Sequence, residues 1–200
     1  MRRLLVLALL IVSFWFPNTA AWAATAEAIF AGGCFWCVEA DFDKVTGVTE
    51  TISGYSGGTV KNPTYKQVSA GKTGHYESVK VVYDPDQVSY EQLVSYFLRH
   101  IDPLDAGGQF CDRGSQYQSV IFTTPEQEPI AQAAIAAASQ ELGQPIQTQI
   151  KSAKDFWEAE NYHQNYYQKQ ALLYKYYRVR CGRDVQIAKV WGDRQPAEQS

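Results

Sequence analysis

The order of alternating and helically spaced apolar segments constrains the fold of this chain more than any other feature. Two strand–helix–strand units come first, and a helix, a strand and a further helix follow them. The predicted strands are 27–33, 48–54, 76–83, 119–122 and 146–151, and the predicted helices are 34–45, from Ser89 onward, 124–143 and from Asp155 to about Gln170. Two successive βαβ units favour an α/β (α+β) fold, a two-layer α/β sandwich with a ferredoxin-like βαβ core. We expect the tail from about residue 172 to be irregular.

Composition predicts one domain after the N-terminal segment. The chain has 200 residues, of which 46% are hydrophobic and 20% are charged. This is enough apolar material for a single core, so residues 24–200 are predicted to form one catalytic domain. The formal net charge of -3 argues against a nucleic-acid partner.

The first 23 residues have the pattern of a secretory signal peptide. Arg2 and Arg3 precede an apolar run at residues 4–16, and a small-x-small site ends at Ala23. The apolar run is shorter than a comfortable membrane span, although an uncleaved membrane anchor is the alternative. We therefore expect cleavage near Ala23 and export to the periplasm, with no membrane contact after cleavage.

Two cysteines flank two aromatics in Cys34-Phe35-Trp36-Cys37, between a predicted strand and a predicted helix. Backbone N–H groups are unpaired at a helix start, and the helix dipole there favours a thiolate. Because the thiolate is the nucleophilic form of cysteine, Cys34 is the predicted nucleophile. Phe35 and Trp36 are expected to form an apolar surface beside its sulfur.

A Cys-x-x-Cys pair is also typical of thioredoxin-like redox sites and of half a zinc site. Structural zinc sites usually combine two paired cysteine knuckles. The remaining cysteines, Cys111 and Cys181, have no second cysteine nearby, so no metal is expected. The aromatics between Cys34 and Cys37 differ from the small or proline residues typical of a thioredoxin motif.

Four polar residues outside this motif are candidates for the same chemistry. Glu77 lies near the start of an alternating strand, where burial would raise its pKa and keep it protonated as a general acid. A solvent-facing glutamate is the alternative. Tyr65, Asp112 and Tyr117 lie on predicted loops, and phenols can donate hydrogen bonds to a polarised oxygen. His163 is predicted to have a structural role.

Taken together, five motifs resemble those of the peptide methionine sulfoxide reductase A family. They are Gly33-Cys34-Phe35-Trp36, Asn62-Pro63-Thr64-Tyr65, Gly74-His75-Tyr76-Glu77, Asp112-Arg113-Gly114-Ser115-Gln116-Tyr117 and Ala159-Glu160-Asn161-Tyr162-His163-Gln164. The resemblance runs from about Glu27 to about Trp191. It implies repair of oxidised proteins by reduction of methionine S-sulfoxide, free or in protein, with no metal or organic cofactor.

The resemblance also implies roles for individual residues. Cys34 would attack the sulfoxide sulfur and become a sulfenic acid, while protonated Glu77 would give its proton to the sulfoxide oxygen. The other site residues would bind substrate: Tyr65 and Tyr117 its oxygen, Phe35 and Trp36 its S-methyl group, and Asp112 its backbone or a bound water. A second thiol would condense with the sulfenic acid, and a separate thioredoxin-like donor would reduce the disulfide.

The identity of the second, resolving thiol stays open between three cysteines. Cys181 is the first candidate, because it stands alone in a tail that could swing in. Cys37 is the second, because residues i and i+3 at a helix start can approach closely enough for a disulfide. Cys111 is the third, because it is next to Asp112.

Two other functions fit parts of the sequence. A general thiol–disulfide oxidoreductase would use Cys34 and Cys37, but it leaves Glu77 and the two tyrosines unexplained. An exported binding module without enzymatic activity would place the four cysteines in two structural disulfides.

Overall fold

A mixed six-stranded sheet organises residues 24–192, which the computed structural model describes. The strands are β1 (Ala26–Gly32), β2 (Val48–Ser56), β3 (Tyr76–Tyr83), β4 (Gly108–Gln109), β5 (Asp112–Arg113), β6 (Ser119–Thr123), β7 (Gln149–Ser152) and β8 (Phe156–Glu158). The sheet has the order β7-β6-β1-β3-β2-β8, while β4 and β5 form a separate hairpin.

Helices connect and cover these strands. They are α1 (Phe35–Phe42), α2 (Tyr65–Ser69), α3 (Tyr90–Arg99), α4 (Glu128–Leu142), α5 (Tyr166–Lys169), α6 (Ala171–Arg180) and α7 (Arg183–Trp191). Ser89 and Gln92 form a capping box that begins α3, as their spacing predicts. Gly143 ends α4 in the left-handed conformation that glycine adopts most easily.

The predicted ferredoxin-like core is confirmed. Strand β3 lies between β1 and β2 and is antiparallel to both, while β6 is antiparallel to β1 on its other side. The units β1-α1-β2 and β3-α3-β6 are therefore the two split βαβ units of this architecture. The core between sheet and helices is aromatic: the Phe30 ring lies 4.9 Å from that of Phe42 and 5.0 Å from that of Phe97, measured between centroids.

The helix predicted to begin at Asp155 is wrong at its start, where β8 forms instead. This strand pairs with the end of β2, and Gly54 lies opposite Glu158. The pairing depends on the missing side chain of Gly54. A Cβ there would lie 2.3 Å from a ring carbon of Phe156 and 2.4 Å from the carbonyl oxygen of Trp157. Sheet pairing overrides the local helical pattern, and helix resumes only in α5.

The prediction of an irregular tail is also wrong, because α6 and α7 follow one another there. Helix α7 buries Ile187 and Trp191 in the core. Helix α6 buries none of its side chains fully, and Leu172 in its first turn is 85% exposed. The tail is therefore ordered, although α6 lacks the buried apolar face that usually identifies a helix in sequence.

The predicted signal peptide, residues 1–23, lies outside the described residues, as do residues 193–200 of the predicted domain. Between residues 24 and 192, none of the helices has the length and apolar character needed to cross a membrane.

Candidate active site

Cys34 lies at the turn where β1 ends and α1 begins, as the sequence predicts. The preceding Gly33 has a φ of +82°, and a Cβ there would lie 2.6 Å from the Cβ of Gln109, so only glycine permits this turn and contact. The Cys34 side chain does not cap the helix. Instead the Phe35 N–H donates to Oε2 of Glu77 at 3.1 Å, which holds a carboxyl group beside the nucleophile.

Cys34 and Cys37 are both buried free thiols, and they hydrogen-bond to each other. Burial, followed by the hydrogen bond to Cys37, raises the pKa of Cys34 well above its ordinary value. The same hydrogen bond lowers the pKa of Cys37 against the effect of burial, and the charges of Arg183 and Arg178 add to this. Burial therefore favours the neutral thiol of Cys34, against the thiolate that a helix start was expected to favour.

Glu77 lies on β3 opposite Tyr55 of β2, and only 2% of it is exposed, which excludes the solvent-facing alternative. Burial raises its pKa to about 8, even though the Phe35 N–H favours the charged form. At neutral pH the group is therefore mostly a carboxylic acid with a proton to give.

The two candidate phenols reach the site from different segments. Tyr65 is the first residue of α2, and Tyr117 is the last residue of a 3₁₀ turn, Ser115–Tyr117. Burial, followed by the charge of Glu77, raises the pKa of both phenols, and Cys34 contributes to both shifts. Both tyrosines therefore stay protonated as hydrogen-bond donors around the thiol and the acid.

The aromatic pair after Cys34 divides into one core residue and one residue at the surface. Phe35 is 1% exposed and packs against Tyr65 and His163, with centroid distances of 6.3 Å and 4.9 Å. Trp36 is half-buried and stacks on Tyr166 at 3.8 Å. The accessible wall beside Cys34 is thus formed chiefly by the indole ring.

Residues of the segment 159–165 hydrogen-bond to Trp36 and Tyr65 and hold them in place. His163 accepts a hydrogen bond at Nδ1 from Nε1 of Trp36 at 3.0 Å, which agrees with the predicted structural role. Burial lowers the pKa of His163 to about 4, so the ring stays neutral. Glu160 accepts from the Tyr65 N–H at 2.9 Å and from the Tyr55 hydroxyl at 2.8 Å. Glu160 belongs to one of the five motifs found in the sequence, but the sequence did not predict its hydrogen bonds to Tyr65 and Tyr55.

Asp112 lies on the hairpin strand β5 and accepts a hydrogen bond from the hydroxyl group of Tyr177 on α6. Burial raises the pKa of Asp112, and the hydrogen bond from Tyr177 opposes this shift. The Tyr177 ring also meets Trp36 edge-on, with 5.8 Å between centroids. Sequence reasoning missed Tyr177, because no local pattern connects it with a residue 65 positions away.

Cys111 and Cys181 form a disulfide in the structure, with a Cα–Cα distance of 4.9 Å. Cys181, the first candidate for the resolving thiol, therefore stands at the end of an ordered helix with its sulfur bonded to that of Cys111, and the tail expected to swing in is ordered. Cys37 is the candidate that contacts Cys34. The four cysteines form one disulfide, which contradicts the binding module with two.

The residues present do not assemble a thiolate metal site in the described part of the chain. Ligand atoms of Cys111, Asp112 and Cys181 lie within 4.8 Å of one another. The two sulfurs are bonded to each other, however, so they offer no thiolate ligands. Cys34 and Cys37 do not join this group.

Comparisons with known proteins agree with this geometry. The profile of the peptide methionine sulfoxide reductase family matches residues 26–195. The chain is 52% identical over 168 residues to peptide methionine sulfoxide reductase MsrA 2 of Rhizobium meliloti (strain 1021), covering 84% of each protein. It is 46% identical over 196 residues to the MsrA 2 protein of Caulobacter vibrioides, covering 96% of this chain and 100% of that protein. Reduced Mxr1 from Saccharomyces cerevisiae matches with a TM-score of 0.70 at 28% identity, covering 74% of this chain and 86% of that one.

Proposed function

Because the chain belongs to the peptide methionine sulfoxide reductase family, we propose that it reduces methionine S-sulfoxide, free or in oxidised proteins, to methionine. The observation that carries the proposal is the buried Glu77 carboxyl group, which the Phe35 N–H holds beside Cys34. A thiol and a protonated acid side by side supply the nucleophile and the proton that sulfoxide reduction needs.

Cys34 attacks the sulfoxide sulfur after losing its proton, and Glu77 gives its proton to the sulfoxide oxygen. Tyr65 and Tyr117 donate hydrogen bonds to that oxygen as charge develops on it. The hydroxyl group then passes from the substrate sulfur to the sulfur of Cys34, as the S–O bond and the new bond between the two sulfurs both break. Methionine leaves with a reduced sulfur, Cys34 becomes a sulfenic acid, and the proton that Cys34 lost restores Glu77 to its acid form. The sulfur of Cys34 is oxidised by two electrons as the substrate sulfur is reduced by two.

Substrate binding uses the surface around the thiol. Trp36, with Phe35 behind it, contacts the S-methyl group, since both residues directly follow Cys34 and their rings lie 6.4 Å apart. Asp112 holds the substrate backbone, directly or through a bound water. Only one epimer of the sulfoxide can present its oxygen to Glu77 while its methyl group faces the aromatic wall, and we propose that this is the S epimer.

Cys37 is the resolving thiol that fits the geometry best, because it lies one helical turn from Cys34, with its N–H donating to the Cys34 carbonyl at 3.1 Å, and the two side chains interact. Condensation of the sulfenic acid with the Cys37 thiol releases water and forms a Cys34–Cys37 disulfide. A thioredoxin-like donor then supplies two electrons and two protons by thiol–disulfide exchange, and both thiols return.

We also propose that the protein is exported to the periplasm and cleaved near Ala23. The signal pattern of residues 1–23 supports this, and so does a disulfide outside the reactive pair, since structural disulfides persist in oxidising compartments. N-terminal sequencing of the protein recovered from a periplasmic extract is expected to begin at Ala24. A cytoplasmic protein that keeps its first 23 residues would reject export.

An epimer-resolved assay tests the reaction directly. The purified protein with dithiothreitol is expected to convert the S epimer of methionine sulfoxide and to leave the R epimer. Cys34→Ser is expected to fold like the wild type and to produce no methionine. Turnover by this variant would refute the mechanism, and insulin reduction without sulfoxide reduction would instead support a general thiol–disulfide oxidoreductase.

A further inference from the structure

The Cys111–Cys181 disulfide joins two segments that both border the nucleophile. Cys111 directly precedes Asp112 in the β4–β5 hairpin, and Cys181 directly follows α6, 70 residues later. The same hairpin packs through Gln109 on Gly33, next to Cys34. A covalent bond therefore ties the substrate-binding hairpin to the C-terminal helices.

A hydrogen bond runs beside this covalent tie. Tyr177, whose hydroxyl donates to Asp112, lies one helical turn before Cys181 on α6. The Cys181 N–H donates to the Tyr177 carbonyl at 2.9 Å, so the two residues follow one another on the same helix face. The disulfide thus fixes the helix end from which the phenol reaches the Asp112 carboxylate.

The residues that flank the disulfide are fixed as well. The Arg183 guanidinium lies 4.7 Å from the centre of the Phe110 ring and is almost fully buried. It donates to the carbonyl oxygens of Gly32 at 3.2 Å and of His100 at 2.8 Å. Cys181 thus lies between two fixed neighbours, Tyr177 on α6 and the buried Arg183.

From these contacts we infer that the Cys111–Cys181 disulfide is a permanent brace that positions Asp112 for substrate and takes no part in thiol exchange. The inference rests on the proposed function, in which Cys34 and Cys37 alone cycle between thiols and disulfide. The Cys111–Cys181 bond neither forms nor breaks in the cycle. Asp112 binds substrate, whereas Tyr177 and the disulfide act through it as positioning groups.

The double variant Cys111→Ser/Cys181→Ser tests the brace in a steady-state assay with methionine S-sulfoxide, thioredoxin, thioredoxin reductase and NADPH. We expect continuous turnover, kcat near that of the wild type and a KM raised roughly three- to tenfold, as for one weakened hydrogen bond. Tyr177→Phe is expected to raise KM similarly. Combining all three substitutions is expected to raise KM by less than the product of the separate effects, because both groups act through Asp112.

Cys37→Ser is the matched control, because it removes a thiol and leaves the brace intact. It is expected to release one equivalent of methionine per enzyme and then stop. A double variant that also stops after one equivalent would place the disulfide in the exchange and overturn the inference. An unchanged KM in Cys111→Ser/Cys181→Ser would show that the disulfide does not position Asp112. A wild type that makes no methionine would instead reject the proposed function.

Mapping of the wild-type cysteines gives a second test that needs no variant. The protein is treated with methionine S-sulfoxide in the absence of a donor, alkylated and digested for mass spectrometry. We expect Cys34 to be linked to Cys37 while the Cys111–Cys181 linkage stays intact. A linkage between Cys34 and Cys181, or alkylated Cys111, would overturn the inference.

Discussion

Two opposing effects set the pKa of Glu77, the acid of the site. Burial favours its neutral form, while the Phe35 N–H favours its carboxylate, and the result is a pKa of about 8. Without the backbone donor the acid would hold its proton more tightly and give it up less readily. The Phe35 N–H at the start of α1 therefore lowers the pKa of Glu77. The Cys34 side chain does not accept a hydrogen bond from the N–H groups of this helix start.

The variant Glu77→Gln tests this assignment because an amide keeps the shape and the acceptor for Phe35 N–H but has no proton to transfer. We expect kcat to fall by about 10²-fold or more. The wild-type rate should rise with pH and level off near pH 8, because above that value Glu77 loses its proton as fast as Cys34 gains thiolate character. In the glutamine variant the rate should keep rising through pH 8, and a pH–rate profile measures both effects. If the levelling near pH 8 persisted in the glutamine variant, Glu77 would not be its source.

His163 gives a second prediction at the same scale, because burial lowers its pKa to about 4. Its Nδ1 should accept the Trp36 indole N–H throughout the neutral range. Below about pH 4 the ring gains a proton at Nδ1 and can no longer accept. We expect the NMR signal of the Trp36 indole N–H to stay constant between pH 8 and 5 and to shift near pH 4. A shift near pH 6.5 would show that this ring is not the buried acceptor.

Among the elements, those with regular apolar spacing were predictable and those held by distant partners were not. Strands β1 and β3 and helices α1, α3 and α4 match the predicted segments within a few residues. Helix α6 escaped prediction because it exposes Leu172 and Val179, which a packed helix would bury. Its fixed points are polar: Arg178 pairs with Asp41 at 2.8 Å, and Tyr177 bonds to Asp112.

The site divides in the same way. Cys34 and Glu77 could be predicted because strand and helix patterns place them at a turn and on a buried strand. The partners Glu160 and Tyr65 lie 95 residues apart, and the bonded cysteines lie 70 apart. Local spacing carries no information about such pairs, so the contacts that hold the site residues in place are visible only in the folded structure.

Gly54→Ala tests whether β8 positions the site. The added Cβ would collide with Phe156 and with the Trp157 carbonyl, so β8 has to shift. Glu160 follows this strand closely and would move away from the Tyr65 N–H. We expect a loss of about 1–3 kcal/mol in the free energy of unfolding and a lower kcat/KM for methionine sulfoxide.

Gly143→Ala is the matched control for that experiment. Its Cβ would meet nothing within 4 Å, and only its left-handed backbone would be strained. This should lower the free energy of unfolding by about 1 kcal/mol, with kcat/KM unchanged because α4 does not reach the site. Wild-type stability and activity in Gly54→Ala would mean that the β2–β8 pairing is not needed.

At the scale of the whole molecule, buried carboxyl groups in and near the site lower the free energy of unfolding as pH rises. Glu39 on α1 is fully buried and accepts the Asn165 N–H at 3.1 Å, and burial raises its pKa to about 7. Glu77 is buried beneath the nucleophile with a pKa of about 8. The ordinary value for both is 4.5. Between that value and its own pKa, each group holds a proton that the unfolded chain releases, so stability falls as pH rises through this window.

Glu39→Gln should remove one of these windows, because glutamine can accept the same N–H but does not titrate. We expect the variant's gain in unfolding free energy over the wild type to grow between pH 5 and about 7 and then level off, reaching on the order of 1–3 kcal/mol. For Glu77→Gln the gain should keep growing to about pH 8. Histidine titrations are common to all three proteins and cancel in these differences. Urea denaturation at several pH values and constant ionic strength measures both curves. A gain that does not change with pH would show that the carboxyl group is not buried in its neutral form.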